Sequence, residues 1–111
     1  GELKHGPIAL VDGDMPVVVL ALSGELFEKS LSNLEECAAR GGRITLITDD
    51  TGARAVAGHA GIEVLTIPDA HPLIAPIVTA VPLQLLAYHA ALALGSDVDK
   101  PRNLAKSVTV E

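Results

Sequence analysis

A three-layer α/β fold built on a parallel sheet is predicted for this chain by three observations. Its apolar runs are continuous, without alternation, the pattern of strands buried on both faces. A segment of helical periodicity separates the first two runs, which implies parallel strands joined by crossovers. Apolar residues make up 49% of the 111 positions, yet Phe27 and Tyr88 are the only aromatics. The core must therefore be built from Val, Ile, Leu and Ala.

The elements follow in order. Val17-Val18-Val19-Leu20-Ala21-Leu22, after Pro16, reads as a first strand buried on both faces. Ser23 is placed to cap the next helix, with Glu25 and Glu28 favouring its positive end. Phe27, Leu31, Leu34 and Ala38 then form one apolar stripe, and Gly41-Gly42 ends the helix, because glycine takes the left-handed cap conformation cheaply. Ile44–Thr48 is the second strand. A polar loop runs from Asp49 to Gly61, within which Gly52–Gly58 reads either as one short helix or as loop. Ile62–Ile67 is the third strand, stopped by Pro68.

From Leu73 to Leu94 there are 22 residues without a formally charged side chain, His89 aside. A helix of that length would span ~33 Å, enough to cross a bilayer. Pro76 and Pro82 interrupt it, Gln84, Tyr88 and His89 are polar, and no basic flank follows closely. The expectation is a central helix buried against the sheet and against another subunit, not a membrane span.

Length and charge bound the function. The chain is one domain or less. A net charge of −6 gives no electrostatic reason to bind nucleic acid or an anionic membrane surface. A phosphate-bearing substrate would depend on local groups. Cys37 is alone, so no internal disulfide forms and a reducing, cytoplasmic compartment is expected. No signal-peptide pattern opens the chain.

Few residues could carry chemistry. His59, His71 and His89 lack metal-ligand spacing, and one cysteine cannot build a structural zinc site. Asp12-Gly13-Asp14 reads as a turn, since a calcium loop needs further oxygen ligands at fixed offsets. Gly58-His59-Ala60-Gly61 lacks the strand–turn–helix context of a phosphate loop. Asp49-Asp50 follows a strand end, where α/β sites often lie, but reads as a solvated loop. Cys37 is expected buried and inert, His89 packed within or beside the long helix, and Glu2 exposed. No metal or cofactor is expected. From spacing alone, His5 fixes the turn before Gly6-Pro7, and Lys106 is a solvated charge.

The final fifteen residues change the last two readings. Asp97-Val98-Asp99-Lys100-Pro101-Arg102-Asn103-Leu104-Ala105-Lys106-Ser107-Val108-Thr109-Val110-Glu111 resembles, almost without a gap, the C-terminal tail of the glutamine–fructose-6-phosphate aminotransferase (glucosamine-6-phosphate synthase) family. Gly1-Glu2-Leu3-Lys4-His5-Gly6-Pro7 resembles an internal segment of the same family. The resemblance covers Gly1–Thr48 and Ile62–Glu111 well and is weakest over Asp49–Gly61.

That resemblance implies a sugar isomerase (SIS) domain with a flavodoxin-like three-layer sandwich. Residues 1–111 would be the C-terminal portion of the second SIS domain, with 95–111 as its tail and the last three strands of a five-stranded sheet. The implied reaction makes glucosamine-6-phosphate from fructose-6-phosphate and glutamine-derived ammonia. His5 then matches the ring-opening histidine, which in the family reaches the neighbouring subunit's active site. Lys106 matches the lysine that contacts the substrate, on a tail that folds over the site. Histidine suits ring opening because it titrates near neutral pH. A neutral lysine amine forms a Schiff base with the open-chain ketone. The implied partners are a sugar phosphate, a homo-oligomer mate, an N-terminal glutaminase and upstream isomerase parts. The phosphate loop and the proton-transferring glutamate of the family are not found here, so the isolated chain is expected to be inactive. Two rival readings share the fold: another sugar-phosphate isomerase, and a non-catalytic module that senses a phosphosugar.

Overall fold

Three strands alternate with two helices before a longer third helix. In the computed structural model, which describes residues 2–100, the elements are β1 (Pro16–Leu20), α1 (Phe27–Ala38), β2 (Arg43–Thr48), α2 (Asp50–Ala55), β3 (Ile62–Thr66) and α3 (Ala75–Ala93). Two short 3-10 turns, Glu2–His5 and Pro7–Leu10, precede β1. The sheet order is β1-β2-β3. Both pairings are parallel, with Val17 opposite Ile44 and Ile44 opposite Ile62. The α/β fold with a contiguous block of three parallel strands, expected from the sequence, is therefore present. The chain separates into two units, residues 1–71 and the remainder from Pro72.

The core of the first unit lies between α1, α2 and one face of the sheet. Phe27, Leu34 and Cys37 from α1 meet Ile44 and Leu46 from β2, with Ala21 and Val56 at its margin. Leu34, Cys37, Ile44 and Leu46 are all essentially inaccessible. Removing each large side chain from water contributes about 1.5–3 kcal/mol, so the aliphatic core needs no further aromatics. The helical stripe read from the sequence is the buried face of α1. Its end is a Schellman closure: Gly42 N–H donates to Cys37 O at 3.2 Å and Gly41 N–H to Ala38 O at 2.9 Å. Gly41 sits at φ 87°, a conformation that would strain any residue bearing a Cβ.

Two expectations are corrected in this unit. Ser23 does not cap α1, which begins at Phe27 after Leu26 without a side-chain cap; its hydroxyl and amide are held elsewhere. β1 is not buried on both faces. Val17 and Val19 are half-buried on the α1 side, while Val18 and Leu20 are about 40% exposed on the other. Of the two readings of the Asp49–Gly61 connection, the short helix is the one formed, as α2 at Asp50–Ala55, beginning two residues before Gly52. Only six residues long, α2 leaves most of β3 exposed, including Val64 and Leu65.

In the second unit, α3 runs 19 residues. Pro76 lies in its first turn, where a missing N–H costs nothing, and Pro82 is accommodated inside the helix. Gly95, at φ 71°, closes α3 in the same way as Gly41 closes α1, with Ser96 N–H donating to Ala91 O. The burial expected for this helix is not made. Ile77 is 70% exposed, and Val81, Leu85, Leu86 and Leu92 lie near half. His89 is exposed, with its ring edge-on to Tyr88 at a centroid distance of 5.2 Å. By length and composition α3 could cross a bilayer.

Candidate functional site

His5 sits at the end of the first 3-10 turn, immediately before Gly6-Pro7, and is exposed. The segment is pinned from both sides. Leu3 packs against the core cluster, and Ile8, three residues past His5, is buried. Between them Lys4 Nζ meets Glu36 Oε1 of α1 at 2.5 Å. Pro7 opens the second 3-10 turn, where Ala9 N–H donates to Gly6 O at 3.0 Å. The chain then crosses to β1 through an Asx turn, in which Asp12 Oδ1 accepts from Asp14 N–H and Met15 N–H. Asp12-Gly13-Asp14 is thus the turn its sequence predicts. An open groove of about 320 Å³ borders the same segment, lined by Leu3, the edge of β1 and the Leu34–Cys37 side of α1.

A second polar constellation lies at the carboxyl ends of β1 and β2. Asp49 was expected on a solvated loop but is buried. Its Oδ2 accepts from Ser23 Oγ at 2.7 Å and Ser23 N–H at 2.8 Å, and its Oδ1 from Gly52 N–H at 2.8 Å. It is the N-cap of α2. This also explains why Ser23 does not cap α1. Burial alone would raise the Asp49 pKa, but hydrogen bonds from Gly52, Ser23 and Thr51 outweigh it and hold the carboxyl below its ordinary value of 3.8. The sequence signal was the aspartate itself, a preferred N-cap residue standing just after a strand.

The lowered pKa has a consequence for acid stability. A carboxylate with a depressed folded-state pKa contributes stability that is complete above its unfolded value and is lost as pH falls through the folded one. Asp49→Asn should therefore be less stable than the parent at pH 7, by about 1–3 kcal/mol for charged hydrogen bonds. The difference should shrink below pH 4. Urea unfolding at both pH values checks this, and a pH-independent gap would remove Asp49 from the acid response.

These two constellations are not one site. Glu36, beside the His5 turn, and Phe27, beside α2, lie nine residues apart on α1, about 14 Å along its axis. Cys37 is buried, and desolvation pushes its thiol above the ordinary value despite Arg40, as expected of an inert cysteine. His59 contacts Glu35 at 3.2 Å on the surface. A larger open groove, about 600 Å³, crosses the amino ends of the strands past Arg43 and Glu63 and holds none of the candidate residues. Lys106 lies outside the described residues.

The profile of the SIS domain family matches residues 1–94. This chain is a SIS domain protein. Its relatives place it more narrowly. It is 61% identical over all 111 residues to glutamine–fructose-6-phosphate aminotransferase (isomerizing) from Zymomonas mobilis, of which it spans 18%. It is 60% identical to the protein of the same name from Sphingobium yanoikuyae, of which it spans 70%. The C-terminal domain of glucosamine-fructose-6-phosphate aminotransferase from Francisella tularensis superposes with a TM-score of 0.83 at 46% identity, covering 90% of this chain and 28% of that one. The SIS segment therefore belongs with these aminotransferases and corresponds to a part of their C-terminal region. Within it, α1 holds the His5 turn through Glu36, while the Asp49 cap is tied to Ser23 and Gly52.

Proposed function

We propose that this SIS segment supplies part of the isomerase site of an enzyme that makes glucosamine-6-phosphate from fructose-6-phosphate and glutamine-derived ammonia. The observation that carries the reading is full-length identity of about 60% to aminotransferases of that name. Residues 1–111 are assigned to the second SIS domain, with 95–111 as a tail over the sugar.

His5 opens the sugar ring: its imidazole takes the proton of the anomeric hydroxyl and returns a proton to the ring oxygen as the C–O bond breaks. Its exposure on a pinned turn supports this role, since the substrate must reach it. Lys106 attacks the resulting C2 ketone, the adduct loses water to form an imine, and ammonia then adds to C2 and displaces the lysine amine, leaving its nitrogen on the sugar. Exposed apolar residues on β1 and, separately, on α3 support a homodimer within a larger enzyme, and a buried Cys37 with a free thiol is compatible with a cytoplasmic location. The proton transfer between C1 and C2 and the phosphate grip fall to residues outside this segment.

The test uses a chimera in which this segment replaces the matching residues of the Zymomonas mobilis enzyme. His5→Ala in that chimera should slow synthesis from the cyclic sugar by roughly a hundredfold, the scale of acid–base assistance. An open-chain analogue, which needs no ring opening, should be affected far less. Equal losses on both would mean that His5 serves some purpose other than ring opening.

A further inference from the structure

Glu36 has no part in the chemistry above, yet it is tied to the residue next to His5. We propose that Glu36 is a positioning residue for His5, holding through its ion pair with Lys4 the turn on which the imidazole sits. This rests on the ring-opening reading of His5.

The geometry builds from the helix outward. Glu36 lies between Glu35 and Cys37 near the end of α1, and both Leu34 and Cys37 are fully buried. Its backbone is thus fixed to the core. Its carboxylate reaches Lys4 Nζ, and Lys4 shares a peptide plane with His5. The turn itself is four residues of 3-10 helix, too short to hold its own orientation through internal hydrogen bonds. Two side-chain ties fix it instead: Leu3 on the core and Lys4 on Glu36. Glu2, His5, Gly6 and Pro7 are exposed. Leu3 and Ile8 anchor the two ends of the segment, and Lys4 on Glu36 is the side-chain tie nearest the imidazole.

Among the described residues Lys4 forms an ion pair with Glu36, while Glu35, next along α1, contacts His59. Arg40 Nη1 donates to the backbone carbonyl of Glu36 at 2.9 Å, which leaves the carboxylate to Lys4. An ion pair as exposed as this one adds little to stability. Its loss should therefore loosen the turn without unfolding the chain. Misplacing a catalytic group is costly in rate even where binding is unaffected.

The experiment is a double-mutant cycle in the chimera. Glu36→Gln should lower kcat for the cyclic sugar by roughly three- to fivefold, the scale of losing one exposed ion pair. KM should change little, and Lys4→Arg with Glu36 intact, which keeps the pair, should retain most of the rate. In a His5→Ala background Glu36→Gln should cost nothing further. Amide exchange at residues 3–6 should rise in Glu36→Gln while β2 stays protected. An equal loss with and without His5 would overturn the proposal, and so would unchanged exchange. Full Glu36→Gln rate beside a slow His5→Ala enzyme would overturn it as well. A normal rate for His5→Ala itself would sink the ring-opening reading alone, and faster exchange at residues 3–6 would still support the Glu36 tie.

Discussion

Lys106→Ala in the chimera is expected to reduce glucosamine-6-phosphate synthesis by on the order of a thousandfold, the scale seen when a covalent nucleophile is removed. The amine is assigned the attack on C2 of the open-chain ketone, forming a carbon–nitrogen double bond as water leaves. Lys106→Arg should not rescue it, because a guanidinium stays protonated and cannot act as a nucleophile. Glutamine hydrolysis should persist in part, since the glutaminase chemistry lies outside the segment. Parallel assays of glutamate and of amino sugar separate the two activities. Near-normal synthesis would return Lys106 to the role of a solvated surface charge.

Gly52→Ala is expected to be the most destabilising small substitution in the segment, by about 2–3 kcal/mol, the range of overpacked cores. At this chain length that lowers Tm by roughly 10–20 °C. Gly52 is buried in the first turn of α2, against the end of β2. A Cβ there would fall on Thr48 Oγ1, well inside contact distance, and would lie 3.0 Å from Phe27 Cε2 and 3.2 Å from Thr48 Cβ. Neither neighbour can yield cheaply. Thr48 is fully buried and stiff at χ1, and Phe27 is a core residue. The Thr48 hydroxyl already has no hydrogen-bond partner among the described residues, so displacing it gains nothing in return. Moving α2 away would break the Gly52–Asp49 bond and with it the link to Ser23. Gly58→Ala makes a suitable control, because a Cβ there meets open space. A Gly52→Ala protein as stable as its parent would mean that α2 slides freely over β2.

Much of the fold was legible because it rests on local patterns. The apolar runs found the three strands, and the stripe Phe27–Leu31–Leu34–Ala38 found the buried face of α1 with its glycine closure. Burial was less legible, because it depends on what lies opposite. Val18 and Leu20 read as core residues, yet their face is partly open in a segment spanning 18% of the Zymomonas mobilis relative. The same holds for α3, whose uncharged surface was read as buried and is exposed. Ser23 and Asp49 were misread for another reason. Their partnership spans 26 residues, and no local rule links a serine after one strand to an aspartate after the next. The Lys4–Glu36 tie is non-local in the same way. His5 could be singled out only through the resemblance carried by its neighbours, since a lone histidine before Gly-Pro has no chemical signature of its own.

The most direct measurement is amino-sugar formation by the chimera itself, with fructose-6-phosphate and glutamine supplied, beside the isolated 111-residue chain. The segment acting as part of the isomerase site predicts synthesis by the chimera close to that of the Zymomonas mobilis enzyme, and none by the isolated chain. A folded chimera that hydrolyses glutamine but forms no glucosamine-6-phosphate would contradict that role, as would turnover by the isolated chain.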